Sequence, residues 1–434
     1  MILVYGLLIA EFLLILMIPP TLTSTVENNE LIGLIIILVN CIGVFTVLFF
    51  TFKNDKNIFI LFISSFCIRI FLLFWDLYSK SIFVLPGSGR DSEMFHGVGL
   101  SYPNISFDEN PYGFFVGLIY YFTLDQRIVA QYVNLLFSMS TIIISLKIME
   151  DLNISYKIRL LMLIIISFIP NYLISSILLL RESIMIFLLA ASLYCFIKWW
   201  KENNLFNFLI SIVLVLFASV FHSGVISNAA VYILVFLLMN NKERKINFNI
   251  KTLVALTIFT TSLMILMNSN SNIFLSKFGN VEDINDITRR TSLAEEGGSA
   301  YQVGGEVNSF SDLLINSPIR IFYFIVSPLP WDWRGLNDII AFLFSALFYF
   351  ITYIYSIKAL NLTTRVENKS LIIVGLLLAF FGAFIFAWGV SNAGTAIRHR
   401  DKFIVNYLIL LAISLDAIKK NGIKISHRNK NVKG

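Results

Sequence analysis

Apolar runs long enough to cross a bilayer recur along the whole chain. They lie at 2–18, 31–52, 57–78, 126–149, 158–179, 181–200, 206–221, 224–239, 252–267, 338–358, 370–390 and 402–418, separated by polar segments. About 20 apolar residues in helical conformation span the hydrocarbon core, so this pattern predicts an all-α, polytopic integral membrane protein of about twelve transmembrane helices. Two further runs, 112–123 and 318–329, are too short for a crossing and predict short re-entrant or interfacial segments on the outer face. Pro318, Pro328 and Pro330 bracket the second. The first run starts directly at Met-Ile-Leu-Val with no basic stretch before it, which reads as a retained span rather than a cleaved signal peptide.

Composition agrees. Of 434 residues, 57% are hydrophobic and only 14% charged, so lipid is the solvent for most of the chain and 1–434 reads as a single membrane domain. The net charge of +6 follows from positive-inside bias and calls for no nucleic acid partner. Cys41, Cys67 and Cys195 all sit in apolar runs without CxxC spacing, which excludes a disulfide framework and a zinc site.

Basic residues set the orientation. Twelve crossings with both termini in the cytoplasm place 20 of the 33 Lys and Arg inside, including the basic cytoplasmic tail 419–434. The first outer loop is then 79–125 and the large outer loop 268–337, the latter with a catalytic or lid role. Lys outnumbers Arg 16 to 4 inside, whereas Arg outnumbers Lys 9 to 3 outside. A point charge suffices for topology, but the planar guanidinium grips phosphate or carboxylate in a bidentate fork. The outer face therefore reads as built around an anion, with simple pairing to outer carboxylates as the alternative.

Candidate chemistry gathers at the outer turns. Arg181-Glu182 opens a span almost without a loop, His222 occupies a similarly tight turn, and Arg398-His399-Arg400-Asp401-Lys402 opens the last span. Arg181, Arg289, Arg290, Arg398 and Arg400 are the candidate anion ligands; His222, His399, Glu182 and Asp91 are the candidate general bases. Arg90, Tyr301, Trp331 and Arg334 are candidate substrate contacts, the aromatic ones by stacking on sugar faces or by anchoring at the headgroup boundary. Arg69 and Asp76, seven residues apart on one helix face, suit a structural link.

The Leu-Arg-Glu-Ser at 180–183, the Phe-His-Ser at 221–223, the Gly-Gly-Ser-Ala-Tyr at 297–301 and the Pro-Leu-Pro-Trp at 328–331 resemble bacterial polysaccharide repeat-unit polymerases of the Wzy type and the related EpsG-like exopolysaccharide proteins. That resemblance implies a glycosyltransferase of the bacterial inner membrane. Such an enzyme polymerises O-antigen, capsule or exopolysaccharide units carried on undecaprenyl pyrophosphate. It uses no cofactor, metal or nucleotide sugar, since the lipid pyrophosphate is itself the leaving group. Its implied partners are the undecaprenyl-pyrophosphate-linked oligosaccharide, the lipid bilayer, and chain-length regulator and flippase proteins. A polysaccharide ligase or lipid-donor glycosyltransferase of similar fold, and a lipid-linked oligosaccharide flippase or transporter, are the alternative readings.

Overall fold

A computed structural model describes residues 29–240, 245–246, 303, 310–363 and 365–431. The expected spans 2–18 and 252–267 lie outside these residues, as do Arg289, Arg290 and Tyr301. The described chain is helical apart from one antiparallel ladder of two residues on each side, Met239–Asn240 with Lys245–Ile246.

Six of the described helices are long and apolar enough to cross a membrane. They are α1 (Asn29–Phe52), α2 (Lys56–Tyr78), α5 (Arg127–Asp151), α8 (Glu182–Glu202), α12 (Leu336–Leu362, π-helical over Phe342–Ala346) and α13 (Val366–Gly389). Between them stand α3 (Arg90–Leu100), α4 (Pro111–Thr123), α6 (Tyr156–Phe168), α7 (Pro170–Ser175), α9 (Leu205–Phe221), α10 (Ser227–Leu238) and α11 (Phe310–Val326). The chain closes with α14 (Ala393–Asp401) and α15 (Ile404–Asn431). The described residues are thus all-α apart from that short ladder, with the long apolar helices of a membrane protein.

Four expected spans differ in form. The run 158–179 is one apolar stretch in sequence but breaks at Ile169, whose backbone is extended (ψ 118), before Pro170 starts the short α7. Proline supplies no N–H to the preceding turn and disfavours a helical residue before it, which accounts for the break. The runs 206–221 and 224–239 form the shorter apolar helices Leu205–Phe221 and Ser223–Leu238. Over 402–418 the chain turns at Lys402 and Phe403 before α15, which carries Asp416, Lys419 and Lys420.

The chain divides into two compact units. Unit 1 comprises Met1–Ile143 and Leu163–Phe187; unit 2 comprises Ile144–Met162 and Leu188–Gly434. In unit 1, α3 and α4 pack closely as a hairpin, because a Cβ on Gly99 would lie 2.6 Å from Val116 Cγ1 and one on Gly117 2.5 Å from Tyr102 Cβ. In unit 2, α15 is buried continuously from Phe403 to Ile413 and packs against α12 and α13. By contrast α1 exposes Leu38, Ile42 and Phe50 by more than 60% of their surface, as a lipid-facing helix does.

Candidate functional site

In unit 2, α9 ends at Phe221 and leaves His222 extended (φ −161, ψ 108), where it caps both α9 and the following 3-10 turn Ser223–Ile226. Its Nδ1 accepts the Gly224 N–H at 3.3 Å. Asn392 caps α14 by accepting from the Gly394 and Thr395 amides, and this start sets the register that carries Arg398, His399, Arg400 and Asp401. The two elements bring His222 and His399 together, with ring centres 5.0 Å apart and planes nearly perpendicular. Phe386, near the end of α13, lies under both, at 4.9 Å from His222 and 4.8 Å from His399.

Lys402 completes the group. Its Nζ stands 5.0 Å above the Phe386 ring and 3.2 Å from His399 Nδ1, and the residue is 2% exposed. An ammonium can only donate, so His399 accepts at Nδ1, as His222 does from Gly224. A neutral imidazole that accepts at Nδ1 carries its proton on Nε2. Both histidines, when neutral, therefore carry the proton on Nε2, the tautomer of a donor rather than of a base at that nitrogen.

Neighbouring charges have other duties. Arg400, 1% exposed, donates from Nη1 to the carbonyls of Phe324 (3.3 Å), Ile325 (2.9 Å) and Ser327 (2.6 Å), and from Nε to Ser345 Oγ. It closes the C-terminal end of α11, so its placement is that of a helix cap rather than of an outward-facing anion ligand. Asp401 accepts from Tyr349 Oη at 2.7 Å. Arg320 lies 4.7 Å over the Trp388 ring and donates toward Ser391 Oγ at 3.5 Å. Arg398 is half-buried on α14, while Trp331 and Arg334 are exposed in the loop before α12.

In unit 1, a half-buried Arg181 precedes α8 and Glu182 starts it. Arg181 makes no ion pair with Glu182. Glu182 is 7% exposed, and its Oε2 has no hydrogen-bond partner. Asn134 of α5 orders the unwound segment before it, donating to the Leu178 (2.6 Å) and Leu180 (2.9 Å) carbonyls and to Tyr112 Oη (2.8 Å). The turn at Pro86–Gly87 leads to α3, which starts at an exposed Arg90 and carries a half-buried Asp91.

Glu93 on α3 meets Arg127 at 2.8 Å and Lys80 at 3.0 Å. The Arg127 hydrogen bond, assisted by Lys80, lowers its carboxyl to about 2. His96 Nδ1 lies 2.7 Å from Tyr120 Oη, and burial beside Arg127 lowers its imidazole. This corner is an internally paired strap.

No family model, curated protein or solved structure matches the chain. Among the described residues no group of three or more His, Cys, Asp or Glu could hold a metal ion. A cavity of about 150 Å³ in unit 2 is lined by Asp151, Lys201, Arg365, Glu367, Asp416 and Lys420, none of them a candidate residue. Within it Lys420 pairs with Asp416, and Lys201 donates to the backbone carbonyl of Asp151.

Sequence reading singled out His222, His399 and Arg398 but not Phe386 or the separate task of Lys402. The only signal for Lys402 was its place in the five-residue run of titratable groups.

Proposed function

We propose that the protein is a glycosyltransferase that polymerises oligosaccharide units carried on undecaprenyl pyrophosphate, at the outer leaflet of a bacterial inner membrane. The observation that carries this reading is the meeting of His222, His399 and Lys402 around Phe386. On this reading the two imidazoles and the Lys402 ammonium supply the positive and donor character that suits a leaving pyrophosphate, whose charge grows in the transition state. Arg398 adds a guanidinium from the same helix as His399. In unit 1, Glu182 is buried and its Oε2 has no hydrogen-bond partner, which keeps it a candidate general base.

The reading includes twelve crossings, cytoplasmic termini, and outer loops at 79–125 and 268–337. Trp331 and Lys369, both exposed in unit 2, then face opposite sides of the membrane. Cysteines at the two positions should label from opposite sides; labelling from one side refutes the topology.

A second reading, a lipid-linked oligosaccharide transporter, draws on a different observation. Arg69 and Asp76 are fully buried inside a span, and the chain from Ile169 to Arg181 interrupts a crossing. Purified protein in detergent separates the two, because a micelle offers no second side to transport to. Given the native lipid-linked unit, a polymerase yields a ladder of longer glycans and free lipid pyrophosphate. Unchanged substrate favours the transporter.

A further inference from the structure

Arg69 lies on α2, with about 20 Å of helix before it and about 13 Å after it, well inside the apolar length. It is 0% exposed. A guanidinium keeps its charge at any accessible pH, and a cation in a lipid-embedded core needs a counter-charge. Among the described residues Arg69 pairs with no carboxylate. Asp76, two turns along the same helix, instead accepts from Gln131 Nε2 at 2.7 Å.

Three of its five hydrogens are placed. Nε donates to Ser138 Oγ and Ser176 Oγ, each at 3.1 Å. Nη1 donates to Ser65 Oγ at 2.5 Å and to the Ser167 carbonyl at 3.0 Å, a carbonyl that the break at Ile169 leaves without its helical N–H. The Tyr172 ring lies 5.8 Å from the guanidinium carbon. Nη2, with two hydrogens, is buried and has no partner. Ser167 Oγ, on the residue whose carbonyl Nη1 holds, is likewise buried and unpartnered.

We propose that Arg69 Nη2 and the Ser167 hydroxyl hold a small monovalent anion of halide size, which neutralises the guanidinium. The serine is the right companion, because a hydroxyl can turn its hydrogen toward an anion and adds no charge. One guanidinium matches one negative charge, and the enclosed position disfavours large or doubly charged anions. The site stands in unit 1 and does not depend on the glycosyl-transfer reading.

The test is anion-dependent thermal unfolding of the purified full chain in detergent. Protein equilibrated in gluconate is titrated with chloride, bromide or sulfate while tryptophan fluorescence reports the midpoint. Wild type should show a saturable rise with chloride and bromide and none with sulfate, as expected of a ligand that binds only the folded state. Arg69→Met should abolish the saturable rise. Ser167→Ala should keep it but raise the half-saturating concentration several-fold, and Ser167→Thr should restore it.

A wild type without a saturable halide response overturns the proposal. So does a response that survives in Arg69→Met. If Arg69→Met fails to fold, an unchanged half-saturation in Ser167→Ala overturns it equally.

Discussion

Gly224→Ala tests whether the two histidines are held by packing against Phe386. The added methyl would sit 2.6 Å from Phe386 Cζ and 2.8 Å from Cε2, roughly 1 Å inside normal carbon contact. The ring cannot swing aside freely. It is 3% exposed, with Phe403 at 5.5 Å and Phe324 at 6.3 Å in addition to both imidazoles. Overpacking of this kind costs about 1–3 kcal/mol, and the displacement passes straight to His222 and His399. A shift of about 1 Å in a binding group can lower turnover ~100-fold, so activity should fall well beyond the loss of folded protein.

The assay pairs unfolding in mixed micelles with ladder formation from the lipid-linked unit. Phe386→Leu in the same chain should relieve the clash. The double variant should therefore be more stable than the sum of the single effects by about 1 kcal/mol or more. Strict additivity, or wild-type stability and activity in Gly224→Ala alone, would refute the argument.

Arg400→Ala should lower membrane abundance sharply, because it strands three buried carbonyls at about 1–3 kcal/mol each, whereas Arg398→Ala should abolish polymer at unchanged abundance; immunoblots and glycan ladders separate the two. Arg398→Lys should rescue poorly, since a point charge lacks the bidentate fork. Glu93 titrates at about 2 when folded against an ordinary 4.5, so its stabilising contribution is complete above 4.5 and is lost as pH falls from 4.5 through 2. Acid titration of the unfolding midpoint should show that loss in wild type and not in Glu93→Gln. Nitrogen NMR of labelled histidine should find His399 protonated on Nε2 in wild type and a mixture of tautomers in Lys402→Met; an Nδ1–H ring in wild type would overturn the donor assignment.

Hydrophobic length alone made much of the helical fold legible, since the runs at 31–52, 57–78, 126–149, 181–200, 338–358 and 370–390 each contain or match a long apolar helix. The break in 158–179 had a visible cause in Pro170, but average apolarity across the run masks a single missing N–H. The pairing of His222 with His399 had no such signal. It depends on how α9 and α14 pack, and no local periodicity carries that information.

The excess of arginine over lysine in the segments expected outside was readable, yet its meaning was not. Two uses were open from sequence, an anion site or pairing with carboxylates, and the structure adds a third. Arg127 does pair with a carboxylate, Glu93. Arg400 instead fans its donors over the last carbonyls of a buried helix, and Arg320 stacks on Trp388. Arg69, within a span, fills the carbonyl freed at a helix break.

An ammonium has three donors around one point, whereas the guanidinium spreads five over a plane and reaches several carbonyls from a single stem. Where helices end inside a water-poor interior, that reach is needed whether or not any ligand binds. The guanidinium groups that argue for an anionic substrate are therefore those without such a structural task. In unit 1 that points to Arg181, half-buried and in no ion pair with its neighbour Glu182, and away from Arg400 in unit 2.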